Sequence, residues 1–424
     1  MKKKLSFILI FAFLLAFILS SCGEKPISPE NTAQEAENVE PADETPSYSV
    51  IPGKKEEAVE ETVDEELPEG DEEPVQEEIP PEPTQEELEE MYIDELVSSM
   101  TDAELAGQLV FCGCPQQGAA EFVERCQPAG LILFGYNIDG ETRETLSNKL
   151  ADYQSKSKIP LLIGVDEEGG TVARVSAFPA FRASRFSSPR KLIENGGVDA
   201  LRAETEEKAS LLSTLGINVN LAPVCDLAKT QGTFMYSRAL PGTTQEVCEY
   251  VKEIVTLTAS GGVGTVLKHF PGYGECGDTH TAVVTDSRAR ESFYTDDFRP
   301  FTAGVEAGSG AVLVSHNIVP AFDAENPASL SAEMLKVLRE ELGEDLVVMT
   351  DDLEMDAVAS RYSLGEAAVK AILAGEDIAL CSNGEPAVNA LAQAMADGTL
   401  SRERAEESVR RVLAWKMKIG LISM

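Results

Sequence analysis

Eight short apolar runs punctuate the chain: Gln108 to Phe111, Gly130 to Phe134, Pro160 to Val165, Ile217 to Val224, Gly264 to Phe270, Ala311 to Val314, Asp345 to Met349 and Asp377 to Leu380. None alternates apolar with polar, so each predicts a strand buried on both faces. Between the runs lie stretches such as Val198 to Leu215 and Glu246 to Ser260, with apolar residues at helical spacing. Strand and helix in alternation, eight times over, predict an α/β fold: a single (β/α)₈ barrel of the TIM type over residues 91–424. A doubly wound open sheet is the alternative arrangement of the same elements.

A barrel makes a further demand, because its functional groups gather just after the strands, at the C-terminal rim. Asp166-Glu167-Glu168 follows the third run and Asp226 the fourth. Lys268-His269 ends the fifth, Ser315-His316-Asn317 follows the sixth, and Asp351-Asp352 follows the seventh. Five polar clusters in register make this rim the candidate site.

The first 90 residues read differently. Lys2, Lys3 and Lys4 precede an apolar stretch, Leu5 to Leu19, that is short for a membrane-spanning helix. It closes with Leu19-Ser20-Ser21-Cys22, which resembles the lipobox of bacterial lipoproteins. Residues 1–21 then read as a signal peptide, with Cys22 lipidated as the mature N-terminus; an ordinary signal peptide with a chance cysteine is the other reading. One lipid would tether the protein to the bacterial cell membrane on its extracytoplasmic side. Residues 23–90 carry 25 acidic side chains against three basic ones. With many prolines and no sustained apolar periodicity, that segment cannot offset its ordering entropy. Residues 22–90 therefore read as a lipidated cysteine and a disordered acidic spacer, whose coil spans on the order of 45 Å. An interaction tail is the other reading of such a charge run.

The net charge is −38, and from about residue 90 onward nothing basic is clustered, which argues against nucleic acid as a partner. Seven cysteines follow Cys22, an odd number for a full disulfide framework, and Cys112 and Cys114 lack the spacing of a zinc knuckle.

The candidate chemistry concentrates in Lys268 to His280, which holds two of the three histidines in the chain. Gly272-Tyr273-Gly274-Glu275-Cys276-Gly277 satisfies the Gly-x-Gly-x-x-Gly pattern, yet Pro271 precedes it and no amphipathic helix follows, so a dinucleotide site is rejected. The glycines instead carry Asp278-Thr279-His280, where a carboxylate two residues from an imidazole can fix its tautomer and raise its proton affinity. A surface Asx turn is the plainer reading of that spacing. At Thr350-Asp351-Asp352 one acid suits the start of the next helix and the second is left for chemistry, as nucleophile or base. Asp166 to Gly170 with Arg174 reads as a clamp for a polar ligand. The carboxylates and His316 show no compact metal-ligand spacing, and no cofactor or metal is implied.

Taken in order, Gly-Val-Asp-Glu-Glu-Gly-Gly (164–170) with Arg174, Leu-Ala-Pro-Val-Cys-Asp (221–226), Ser237-Arg238, Lys-His-Phe-Pro-Gly (268–272), Asp-Thr-His (278–280) and Thr-Asp-Asp-Leu-x-Met (350–355) resemble glycoside hydrolase family 3. The likeness is to its single-domain β-N-acetylhexosaminidase branch and covers about residues 95–424. The resemblance implies that Asp351 is the catalytic nucleophile and His280 the general acid/base, with Asp278 as its dyad partner. It implies that Asp166, Arg174, Arg238, Lys268 and His269 bind the sugar, and His316 is grouped with them as a candidate ligand. The family mechanism is a retaining double displacement, here on the terminal GlcNAc of cell-wall fragments or related glycans. A histidine carries no negative charge once deprotonated, so phosphate is an admissible acceptor besides water. Many family members have His where Tyr273 stands, and the loop before Asp278 is here one residue shorter. A β-glucosidase of the same family and a non-catalytic sugar-binding lipoprotein are the rival expectations.

Overall fold

The computed structural model describes residues 83–424. The signal segment, Cys22 and residues 23–82 of the acidic segment lie outside the described residues. The described chain begins with a helix, Gln85–Ser99, whose first turn falls inside the stretch read as spacer. The reason is local: Thr84 accepts from the Glu87 amide, and the Glu87 side chain accepts from the Thr84 amide. That reciprocal cap satisfies two orphan donors and outweighs the acidic composition. Ile93 and Val97 anchor the helix in the core.

The eight strands are β1 (Val110–Gly113), β2 (Gly130–Leu133), β3 (Leu162–Val165), β4 (Val219–Asn220), β5 (Gly264–Phe270), β6 (Ala311–Val314), β7 (Val347–Thr350) and β8 (Ala379–Cys381). All neighbours pair in parallel, in the order β7-β6-β5-β4-β3-β2-β1-β8. A bridge from Met349 to Ile378 joins the two ends, so the sheet closes on itself as a barrel. Every strand residue is buried, as the unbroken apolar runs require.

Two expected elements are trimmed by residues with a clear effect. The fourth run keeps only two ladder residues because Pro223 offers no amide, and pairing resumes as a lone bridge between Val224 and Lys268. The helix Pro189–Leu215 breaks at Gly197, where φ is 66°, so the predicted helix from Val198 stands as its second half.

Inside the barrel, Phe111, Ile132, Leu162, Val266, Leu313 and Met349 form one apolar cluster. The helix Arg402–Lys418 stops the N-terminal mouth, placing Val412 and Trp415 in that same cluster. Gly310, at the foot of β6, makes the fit possible: a Cβ there would meet the Trp415 ring at 2.3 Å. With one mouth plugged, the C-terminal mouth is the open one. Among the described residues no helix is long and apolar enough to cross a membrane, and every cysteine is free.

Candidate active site

A cleft of about 640 Å³ opens at the C-terminal rim. Asp166, Arg174, Arg238, Lys268, His269, Asp278, His280 and Asp351 all line it, so eight of the nine site residues expected from sequence come together. The ninth, His316, is not at the cleft surface and is fully buried.

The end of β5 sets one wall. In a regular strand, successive side chains point to opposite faces. Here the register with β6 shifts between Lys268 and Phe270, leaving His269 as an extra residue. Lys268 and His269 consequently both reach the cleft, and the peptide between them is cis. His269 Nδ1 lies 2.7 Å from Asp226 Oδ2, while its backbone amide donates to the same oxygen at 3.1 Å. Arg238 Nη2 stands 3.1 Å from His269 Nε2. A guanidinium only donates, so Nε2 accepts and Nδ1 carries the proton toward Asp226. Asp226 also accepts from the Tyr273 amide at 2.7 Å, tying the wall to the loop that follows.

The β3 loop supplies the counter-charges. Lys268 Nζ bonds Asp166 Oδ1 at 2.6 Å and Glu168 Oε1 at 2.7 Å. Arg238 grips Glu168 through both oxygens, at 2.9 and 2.7 Å. Burial opposes the charge on Glu168, but Lys268 and Arg238 outweigh it and hold the carboxyl well below the ordinary carboxylate range. Asp166 and Glu168 in turn keep Lys268 charged against its own burial. Glu167 turns inward and accepts from the amides of Arg174 and Val175 at 2.8 and 2.6 Å, which fixes the backbone that presents Arg174.

The loop after β5 carries Asp278 and His280. No helix opens after its glycines, and the chain reaches Arg290 before the next one starts. Gly272 needs its φ of 106°, and a Cβ there would meet Asp297 at 2.8 Å. Arg288 clamps both ends of the loop, donating to the Gly272 carbonyl at 3.0 Å and to Asp286 Oδ2 at 2.7 Å, with Asp297 on its other side. Within the loop, Thr279 is buried, its hydroxyl shared with Tyr273 and its carbonyl accepting from Ala357 at 3.3 Å. Tyr273 packs edge-on against His269 and Phe234. His280 is 56% exposed, and its Nδ1 lies 2.7 Å from Asp278 Oδ1. An ionised carboxylate only accepts, so Nδ1 carries a proton and Nε2 is left for exchange.

At the end of β7 the two acids separate. Asp352 accepts from the Glu354 and Ser382 amides and from the Ser382 hydroxyl at 2.6 Å, joining the β7 and β8 loops. Asp351 accepts only from the Asp352 amide, at 2.9 Å, and its own amide donates to Val314. Burial raises the Asp351 carboxyl, yet it is held below the ordinary carboxylate value, with the Asp352 amide donating to it and the rings of His269, His316 and His280 around it. It is the uncommitted acid of the pair.

His316 supports this arrangement from below. Its Nε2 lies 3.0 Å from the Asp352 carbonyl, and its Nδ1 lies 2.7 Å from the Ser329 hydroxyl. A carbonyl only accepts, so Nε2 donates and Nδ1 takes the hydroxyl proton. Burial pushes its pKa down. The expectation of His316 as a ligand is thereby corrected: an apolar run before a histidine looks alike whether the ring reaches the cleft or the core. Ser315 Oγ and the Asn317 amide beside it are buried without a protein partner.

Sequence reasoning gave no individual role to Glu168, Asp226 or Arg288. Each acid was visible as a polar group after a strand, but its partners lie 70 and 43 residues away. Among the described residues no group of His, Cys, Asp and Glu is arranged to hold a metal ion. An ionised carboxylate and an imidazole with one free nitrogen thus share a cleft lined with paired charges at the open mouth of the barrel. The chain belongs to glycosyl hydrolase family 3: the "Glycosyl hydrolase family 3 N terminal domain" matches residues 94–415.

Relatives extend the likeness. A protein of Xanthomonas campestris pv. campestris described as a beta-hexosaminidase is 31% identical over 281 residues, covering 64% of this chain and 82% of that protein. Beta-hexosaminidase LpqI of Mycobacterium tuberculosis is 31% identical over 321 residues, covering 73% of this chain and 81% of LpqI. Among solved structures, a family 3 beta-N-acetylglucosaminidase from Paenibacillus sp. str. FPU-7 superposes with a TM-score of 0.72 at 32% identity. That match covers 77% of this chain, which spans 64%, less than two thirds, of the Paenibacillus chain.

Proposed function

We propose that this protein is a retaining exo-β-N-acetylglucosaminidase that removes terminal GlcNAc from cell-wall-derived or related glycans. The sugar rests on the names of the relatives, and the chemistry on one observation. Of three histidines, His269 and His316 have both ring nitrogens engaged, and His280 alone keeps one free in the cleft that Asp351 lines. Asp166, Arg174, Arg238, Lys268 and His269 grip the hydroxyls of the terminal sugar. Asp351 attacks the anomeric carbon while His280 Nε2 passes its proton to the leaving oxygen. The covalent glycosyl-enzyme then meets water, from which His280 takes a proton, and Asp351 departs. Asp278 holds the ring in the required tautomer throughout. The apolar leader and Cys22 support a lipid-anchored protein outside the cytoplasm, with the acidic segment as spacer.

The test is a panel of aryl β-glycosides, run with and without phosphate. Release of aryl alcohol from the GlcNAc glycoside is expected, with no sugar 1-phosphate. Turnover of the glucoside alone would overturn the sugar, and phosphate-dependent sugar 1-phosphate would overturn hydrolysis. Asp351→Asn is expected to lower kcat by ~10⁴-fold or more with an unchanged melting temperature. Full activity in that variant would remove Asp351 from the mechanism.

A further inference from the structure

We propose that Phe134 and Tyr136 form the leaving-group subsite, an aromatic shelf that takes the pyranose ring of the departing sugar. The proposal deepens the glycosidase reading and rests on it.

The cleft has two unlike walls. The β3, β4 and β5 loops supply Asp166, Arg174, Arg238, Lys268 and His269, a wall suited to hydroxyl groups. The facing residues from β2, β7 and β8 are Ile132, Phe134, Met355 and Leu380, with Asp351 and Asp352 as the charges among them. Tyr136 stacks on Phe134, with ring centroids 5.5 Å apart and planes inclined by 28°. Its side of the pair is open, because Tyr136 is 48% exposed, one of few large apolar side chains left so. Burial, and more weakly the Cys114 thiol and the Asp352 carboxylate, push its phenol upward.

The shelf is also rigid. The Phe134 amide donates to Asn137 Oδ1 at 2.9 Å, and Asn137 Nδ2 reaches the Cys114 carbonyl at 3.0 Å. The turn that carries both rings is thereby tied to β1 as well as β2.

Glycoside geometry assigns the occupant. The charged wall holds the hydroxyls of the sugar whose anomeric carbon meets Asp351. The group across the scissile bond, whose oxygen takes its proton from His280, then extends from that loop toward the wall that Phe134 lines. A pyranose offers a face of C–H bonds there, and such faces pack on aromatic rings.

The test compares wild type, Tyr136→Ala and Tyr136→Phe on three β-glycosides of one sugar: a disaccharide, an aryl glycoside and the glycosyl fluoride. Tyr136→Ala is expected to lower kcat/KM roughly 5–10-fold on the first two and less than about 2-fold on the fluoride, whose leaving group cannot stack. Tyr136→Phe is expected to stay within about 2-fold on all three, because the ring is kept. An equal fall on all three, or none on the disaccharide, overturns the shelf. If wild type cleaves glucosides and not GlcNAc glycosides, the proposed sugar fails, and the same contrast on the glucoside series still decides the shelf.

Discussion

The two ends of the barrel handle buried charge in opposite ways. At the C-terminal rim, Lys268 lies between Asp166 and Glu168, Arg238 grips Glu168 twice, and Asp226 accepts from His269 and Tyr273. At the N-terminal end, Asp377 is well served by Arg339, Arg411 and Ser408. Glu376 beside it is fully buried, with neither carboxyl oxygen bonded. Lys416, also fully buried, meets a single neutral acceptor, Gln108 Oε1, at 2.9 Å. Both groups are strongly perturbed: burial lifts Glu376 well above the ordinary carboxylate value and pulls Lys416 down to about 7. A shifted pKa therefore does not distinguish a working site from a charge tolerated in a large core. Dense, directional pairing does, because it fixes positions as well as protonation.

Three substitutions test that contrast. The largest effect is expected for Glu168→Gln at the rim, which leaves Lys268 and Arg238 under-compensated. It should destabilise by about 3–5 kcal/mol and, by misplacing the ligand wall, lower kcat/KM roughly 10²-fold. Denaturant unfolding and kinetics read the two losses, and near-wild-type behaviour in both would erase the distinction. Because its folded pKa is depressed, Glu168 contributes fully above its ordinary value of 4.5, and that contribution fades as pH falls through the lower folded value.

Lys416→Met should act in the other direction, stabilising by about 1–3 kcal/mol at neutral pH without changing kcat. Below pH 7 folded and unfolded chains both hold the Lys416 proton, and its penalty is complete. Between pH 7 and 10.5 the unfolded chain alone holds it, so wild-type stability gains a rising contribution with pH. The variant should lack that contribution, and a melting-temperature series over the window shows whether it does. The smallest effect, about 1 kcal/mol of stabilisation at neutral pH, is expected for Glu376→Met. Here the sign reverses. Above 4.5 the folded chain alone keeps the proton until the raised folded value is reached, so this carboxyl makes wild-type stability fall with rising pH. Thermal melts at pH 5 and 7 should show the variant's advantage growing with pH.

The strands were legible because burial on both faces leaves unbroken apolar runs, and the rim was legible because polar residues follow those runs. What stayed hidden is tertiary. Glu168 and Asp226 were visible as acids after strands, but no local pattern links Glu168 to Arg238 or Asp226 to His269. His316 and His269 each follow an apolar run, and only the bulge at β5 turns one toward the cleft while Ser329 and Asp352 keep the other in the core. Thr84 and Glu87 spell a helix start that the surrounding acidic composition masked.

The plug at the base of the barrel has an optical consequence. Trp415 is the single tryptophan of the sequence and is buried against β6 at the end remote from Asp351. Its fluorescence thus reports the integrity of one mouth, while turnover reports the other. Emission and activity followed along one denaturant titration give two local readings of one barrel. Coincident curves would mark a single cooperative unit, and an earlier loss of activity would mark a rim that loosens while its base stays closed.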